Sequence, residues 1–348
     1  YHTGFSTYND FNDDAGDLSK LRYLVTQNLS SDTRLYKILK RIYHLFRTTS
    51  RSTDYAEAPV INDRVLSWLD EEWSEKESFF IWAHYMDVHY PFYPPDEFLK
   101  QVSDRSISNS RAISLNGRMH ENSAELTERD IADLRALYRG EVRYMDYHLG
   151  QLANNLRERG LFGDTVFIVT SDHGELFGEG GLIGHPPSGY EQSYHVPLIM
   201  FGPGLPSETV VDQMATLLDI APTITDLFDI DGDTQWEGES LLPAIRGEDL
   251  RDRDPVILGH GDVLVCQTDR WRLVWWRGRP NPHSEGGEWE LWDLTDSSRV
   301  PLNHHEGVVD QLQQELHIHL ERAEEPESLS EPAVDGETKG RLEALGYR

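Results

Sequence analysis

One long helical stripe that runs directly into a short apolar segment constrains this chain most. Between Thr127 and Gly160, Ile131, Leu134, Leu137, Tyr138, Val142, Met145, Leu149, Leu152 and Leu156 recur at helical spacing. Thr127 is a good N-cap, Asp130 sits three positions on, and Gly160 is a good stop. Asp164 and Thr165 then turn into Val166–Val169, a run short and apolar enough for a buried strand. The pattern repeats elsewhere. Val60–Trp73 predicts a helix with Val65, Trp68 and Leu69 on one side. Phe79–Ala83 and Val196–Phe201 predict buried strands, and Pro222 opens a helix reaching Phe228. Short buried strands alternating with helices predict an α/β fold with a largely parallel central sheet flanked by helices.

The texture changes near residue 250. Val256–Leu258, Val263–Cys266, Trp271–Trp276 and Trp289–Trp292 read as short strands separated by turns, followed by a helix over Val308–Arg322. These predict a small C-terminal antiparallel sheet with one helix. The expected organisation is a main α/β domain over 1–250, this subdomain over 251–325, and an acidic linker with a terminal helix over 326–348. Residues 1–20 and 101–126 read as polar and irregular.

Composition excludes several classes. With 348 residues, 38% of them hydrophobic, the chain is neither disordered, collagenous nor a small disulfide scaffold. No apolar run approaches the roughly 18 residues of a membrane span. Lys plus Arg is 32 against 61 Asp plus Glu, a formal net charge of −29, and the cations are 26 Arg and only 6 Lys. Such a surface repels nucleic acid and anionic membrane. It suits a halophilic-type protein kept soluble in concentrated salt, where a short screening length blunts self-repulsion. The sole cysteine, Cys266, forms no intrachain disulfide; this favours a reducing compartment, the cytoplasm. One stretch runs against the charge balance. Arg34, Lys37, Lys40, Arg41, Arg47 and Arg51 lie on an amphipathic pattern free of acidic residues. It reads either as a patch for an anionic partner or as a surface helix paired with acidic neighbours.

The chemistry concentrates where Val166–Val169 empties into Thr170-Ser171-Asp172-His173-Gly174-Glu175. Ligands of open α/β sheets bind beyond the carboxyl ends of strands. Asp supplies hard oxygen and His supplies nitrogen, so Asp172 and His173 read as a metal-ligand pair; a buried Asp capping the next turn is the alternative. His84, closing the apolar run 79–83, reads as a core histidine. Asn303-His304-His305-Glu306 and His317-Ile318-His319 read as solvated surface, and Cys266 as a small hydrophobe in a strand.

The order of segments carries a family resemblance. Ser171–Glu175, Gly178-Glu179, Gly184-His185, Tyr190-Glu191, Val196–Ile199 and Gly202-Pro203-Gly204 follow one another as in the sulfatases of the alkaline phosphatase superfamily. Phe79–Pro95 resembles the family's strand and histidine loop. Tyr138, Glu141, Asp146 and Gly150 resemble its long helix, and Leu218–Thr223 its Asp-x-x-Pro-Thr helix start. Thr268–Val274, Glu290–Leu294 and Arg341–Tyr347 resemble its C-terminal region. The resemblance implies an alkaline-phosphatase-like sandwich and hydrolysis of sulfate esters, small molecules or glycans. It implies Asp172 and His173 as ligands of a divalent ion, usually calcium, with manganese or zinc compatible with the softer His. His89 would contact the sulfate and assist the leaving oxygen. His185 would stand where many relatives have a sulfate-contacting Lys. The family's paired Asp and its formylglycine, formed within Cys-x-Pro-x-Arg or Ser-x-Pro-x-Arg, do not occur in this chain and are expected upstream of Tyr1. On that reading the chain alone does not turn over. A phosphodiesterase or a phosphoethanolamine or phosphoglycerol transferase of the same superfamily is an alternative reading, and a non-catalytic homologue a further one.

Overall fold

The computed structural model describes residues 5–9, 55–74, 77–121, 123–232, 236–248, 255–278 and 288–324. The basic stretch 34–51, the 326–348 tail and most of residues 1–20 lie outside them. The chain divides into two compact units at Gly160/Leu161, taken here one at a time.

In the first unit, helix α1 (Ala58–Glu71) starts with Pro59 in its first turn and buries Ala58, Ile61 and Leu69. Helix α2 (Asp96–Val102) buries Phe98 and Leu99, and Phe98 lies edge-on to Tyr144 at 5.2 Å. Helix α3 (Asn109–Glu121) buries Ala112, Leu115 and Asn116. Helix α4 (Glu128–Glu158) is the long helix read from the sequence. Thr127 accepts from the Asp130 N–H, the Asp130 carboxylate accepts from the Thr127 N–H, and Gly160 at φ 73° ends the helix in the left-handed region. Asp130 also pairs with Arg118 at 2.8 Å and with Arg111, and Asp133 pairs with Arg105 and Arg111. These links pin α3 to the start of α4. The Arg118 guanidinium and the cap hold Asp130 far below the usual carboxylate range.

Three expectations fail in this unit. Residues 79–83 form no strand. They alternate between half-buried and exposed, with Phe80 61% and Trp82 67% exposed. An apolar run fixes extended backbone but not a partner strand, and none pairs with it among the described residues. His84 is accordingly exposed, not a core histidine. Residues 101–126 are not irregular throughout, because α3 lies within them. Its buried stripe is only three residues wide, and the three links from its Arg111 and Arg118 to Asp130 and Asp133 do the rest.

In the second unit, β1 (Phe167–Thr170) is followed by the two-residue strands β2 (Leu176–Phe177) and β3 (Ile183–Gly184), then β4 (Leu198–Phe201). β1 pairs antiparallel with β4, in a register that sets Phe167 opposite Phe201, their rings stacked at 4.8 Å. Helix α5 (Ile220–Leu227) follows a capping box of Thr216 and the fully buried Asp219, whose other oxygen accepts from the Glu239 N–H. Helix α6 (Leu242–Ile245) is one turn. A five-stranded meander then runs in order through β5 (Val256–His260), β6 (Val263–Gln267), β7 (Trp271–Trp276), β8 (Trp289–Asp293) and β9 (Ser298–Val300), and α7 (Glu306–Glu324) covers one face. Strand alternation sorts its core: Leu264, Cys266, Leu273 and Leu291 meet Val309, Leu312 and Leu316 of α7, while Val263, Val265, Val274 and Trp276 face the other way. The small antiparallel subdomain is therefore present, with β9 as an additional strand. The described strands of the central region pair antiparallel, so the largely parallel sheet is not formed by them. β1 and β4 are joined by turns and short pairs, not by the helical crossover that a parallel pair requires.

Candidate functional site

The second unit brings three of the four expected residues together. Beyond β1, the Ser171 hydroxyl donates to the His173 carbonyl at 2.8 Å, and Asp172 Oδ1 accepts from the His173 N–H at 2.9 Å. Gly174 is required here. A Cβ would stand 2.1 Å from the Gln192 carbonyl oxygen, while the Gly174 N–H donates to the Ser193 carbonyl. His173 Nδ1 lies 2.8 Å from the Gly174 carbonyl, which fixes Nδ1 as the donor and leaves Nε2 as the electron-pair donor. Nε2 stands 3.9 Å from Asp172 Oδ2. A ring nitrogen with its partner N–H committed to a backbone carbonyl, beside an exposed carboxylate, is the arrangement a metal-ligating histidine adopts. The pair thus fits part of a divalent ion's shell. No group of three or more such ligands occurs among the described residues.

The His185 ring packs on His173 at 4.3 Å. Its Nδ1 lies 3.4 Å from Glu175 Oε2, a long contact to a side chain only 5% exposed. The other Glu175 oxygen is buried and has no hydrogen-bond partner among the described residues. The Glu175 carboxylate raises the His185 pKa, against the opposing effect of burial, and Asp172 adds to the rise. His260, at the end of β5, is lowered by burial and by the positive charge of His185 and His173 nearby. Sequence reasoning missed Glu175 and His260. Glu175 had a local signal, standing two residues after His173. His260 had none, because β5 brings it from 75 positions beyond His185.

The fourth residue, His89, belongs to the first unit. Its N–H donates to the Met86 carbonyl at 3.0 Å, its carbonyl accepts from the Tyr55 hydroxyl, and Nδ1 lies 2.6 Å from the Tyr90 carbonyl. Val88 before it has φ 72°. A β-branched residue in the left-handed region costs about 1–3 kcal/mol and persists only where its surroundings over-determine it. Asp87 is 4% exposed, and burial pushes its carboxyl up to about 6 against the opposing effect of nearby backbone N–H groups.

Solved structures share this fold. The structure of BT4656 in complex with its substrate D-glucosamine-2-N,6-O-disulfate matches with a TM-score of 0.61 at 15% identity, over 80% of this chain and 72% of that one. The phosphonate monoester hydrolase of Agrobacterium radiobacter matches with 0.59 at 20% identity, over 77% and 60%. The Sulfatase family model matches residues 3–230, and the chain belongs to the sulfatase family. Arylsulfatase K of Bos taurus is 31% identical over 205 residues, 52% of this chain and 38% of that protein. Choline-sulfatase of Rhizobium meliloti (strain 1021) is 27% identical over 190 residues, 51% and 36%. The chain thus spans well under half the length of these relatives. No helix among the described residues is long and apolar enough to cross a membrane.

Proposed function

We propose that this chain is the metal-binding and anion-binding portion of a sulfuric ester hydrolase. The observation that carries the reading is the convergence of Asp172, His173 and His185 beyond β1, inside the matched family region. Sulfuryl transfer builds charge on the non-bridging oxygens and on the departing oxygen, so it needs cations around the first and a proton donor for the second. Asp172 and His173 would hold a divalent ion, calcium by family habit, with manganese or zinc compatible with the imidazole donor. Bound there, the ion supplies Lewis-acid stabilisation of the sulfate oxygens. His185, whose pKa the Glu175 carboxylate raises, adds a second positive contact when protonated, and His89 serves the leaving oxygen. The nucleophile is assigned to a formylglycine outside residues 1–348, since Cys266 lacks the Pro-x-Arg context and is fully buried in β6. The substrate class is a sulfate ester of a small molecule or glycan. The acidic surface and the scarcity of lysine support work in concentrated salt, and the single cysteine supports a reducing compartment.

The test uses the whole gene product, matured so that its formylglycine forms. Hydrolysis of 4-nitrophenyl sulfate that falls at least a hundredfold in both Asp172→Ala and His185→Ala supports the reading (roughly the scale of one lost charge-stabilising group). Hydrolysis of bis(4-nitrophenyl) phosphate with no sulfatase activity overturns it in favour of phosphoryl chemistry. Calorimetric titration of the 348-residue chain with calcium, manganese and zinc reads the ion directly, and Asp172→Ala should abolish the binding.

A further inference from the structure

Arg272 of β7 is a buried cation, 4% exposed, on the face of the meander away from α7, the face of Val274 and Trp276. Strand register sets Gln267 of β6 on one side of it and Trp292 of β8 on the other. The guanidinium lies over the Trp292 ring at 5.0 Å, and Nη1 donates to the Tyr194 hydroxyl at 3.0 Å. That hydroxyl gives its one proton to Gln267 Oε1 at 2.9 Å, so toward Arg272 it can only accept. Glu191 Oε2 stands 3.9 Å from Nη1, a long ion pair, and Nε is buried with no hydrogen-bond partner among the described residues. A buried charge so thinly matched does not by itself stabilise a fold. What it holds is Tyr194. Tyr194 ends the short turn Glu191–Ser193, its N–H bonded to the Glu191 carbonyl. Two neighbours seat the same segment on the sheet: Tyr190 meets the Trp292 ring edge-on at 6.0 Å, and Gly189 lies so close to Val274 that a Cβ would stand 2.5 Å from its methyls. The turn in its own right grips Gly174. The Ser193 carbonyl accepts from the Gly174 N–H at 2.9 Å, and the Gln192 carbonyl oxygen fills the space of a Gly174 Cβ. The Gly174 carbonyl then stands 2.8 Å from His173 Nδ1. An unbroken set of contacts joins β7 to the loop that carries Asp172 and His173.

We propose that Arg272 is a positioning residue for His173: by fixing Tyr194 it sets the Glu191–Ser193 turn, and with it the Gly174 backbone that orients the His173 ring. The role of that ring as a metal ligand rests on the reading proposed above; the coupling from β7 to Gly174 does not.

The experiment is nuclear magnetic resonance on the isotope-labelled 348-residue chain, following amide hydrogen exchange and the His173 ring nitrogens. Arg272→Met removes the charge and the hydrogen bond but keeps an unbranched stem. Tyr194→Phe removes only the hydroxyl that links the sheet to the turn. In each variant the Gly174 amide should exchange about tenfold faster, the scale of one lost hydrogen bond, and the His173 ring nitrogens should shift. Amides of β6 and β8 should keep their protection, which a general loss of packing would not allow. Should Arg272→Met fail to fold, Tyr194→Phe decides by the same criteria. Unchanged Gly174 exchange or unmoved His173 nitrogens in either folded variant overturn the proposal. So does β6 and β8 protection that falls by the same factor as that of Gly174. Calorimetric titration with calcium and with manganese supplies a second readout. The dissociation constant should rise about tenfold in both variants, the low end for a lost support behind a metal-ligating histidine. Parent binding with unchanged constants in the variants would overturn the positioning role. Absence of ion binding in the parent chain would sink the metal-site reading and leave the exchange result standing.

Discussion

Replacing Asp87 by Asn should stabilise the protein near neutral pH, and by an amount the structure sets. Burial raises the Asp87 carboxyl from 3.8 to about 6. The folded state therefore binds this proton more tightly than the unfolded state does. The favourable contribution is full below pH 3.8, declines as pH rises from there, and is gone above 6. Two pKa units correspond to about 3 kcal/mol, so the ionised carboxylate costs about that much at pH 7.5. At pH 5 the same linkage gives roughly half as much. Asparagine carries no charge to desolvate. It still offers an acceptor to the nearby backbone N–H groups, though a neutral acceptor is weaker than a carboxylate by about 1 kcal/mol. The net expectation is a gain of about 2 kcal/mol at pH 7.5, falling to about 0.5 kcal/mol at pH 5. Urea denaturation of both proteins at the two pH values, in the same salt, measures it. An asparagine variant destabilised equally at both would refute the reasoning, because the carboxylate would then be a net stabilising group in its ionised form.

Two other substitutions follow from the same accounting. Glu175→Gln removes the negative charge that raises the His185 pKa. The His185 titration midpoint, read by its ring nitrogen shifts, should fall, and an unchanged midpoint would mean Glu175 is not its electrostatic partner. The stability linked to His185 begins to fall near its unfolded value of about 6.5 in both proteins and goes on falling up to the raised folded value, so in the variant that fall should be smaller and end at lower pH. Asp130→Ala removes the α4 capping box and the anchor of Arg118 and Arg111. It should cost about 2 kcal/mol in thermal or urea unfolding above pH 5. Asp130 is held low, so its contribution is present above 3.8 and is lost as pH falls; parent and variant should converge in acid, and a constant gap down to pH 2 would contradict that.

What the sequence made legible tracks how local each cause is. The α4 cap and stop were readable because Thr127, Asp130 and Gly160 act within one turn of the residues that they cap. The meander was readable because neighbouring strands pair in order, and because β6 and β7 alternate faces residue by residue. Asp172 and His173 were readable because a strand end places them there regardless of the rest. Pairing is not local. Phe79–Ala83 has the composition of a buried strand, yet Phe80 and Trp82 face outward, because extended backbone becomes a strand only when another supplies its hydrogen bonds. Helix α3 was hidden for the opposite reason. Its stripe is too narrow to register as a period, and Asp130 and Asp133 of another helix hold it down through arginines. Asp87 and His260 gave no signal, because burial and charge neighbours are tertiary facts, and Glu175 had only its place two residues after His173.

Two of the places where the structure departs from comfortable chemistry lie where the family resemblance puts its active groups. Asp87 is a buried charge with one oxygen unsatisfied, and Val88 beside it is strained. Glu175 is a buried charge with one oxygen unsatisfied, and two imidazoles stack against each other beside it. Each is a local loss that packing elsewhere must offset, as the Arg–Asp links on α4 and the Leu-rich core under α7 do. Each carboxylate stands within two residues of an expected active histidine, where strain and buried charge can fix geometry and field at a cost in stability. The two carboxylates are not alike, however. Glu175 faces a partner that becomes a cation, so its charge is matched once His185 is protonated. Among the described residues Asp87 has Glu57, Tyr85 and Tyr144 as its charge neighbours and no cation, so its mismatch persists at neutral pH. The Asp87 turn should accordingly be the more pH-sensitive of the two, loosening above pH 6 where the Glu175–His185 pair is still held together by charge.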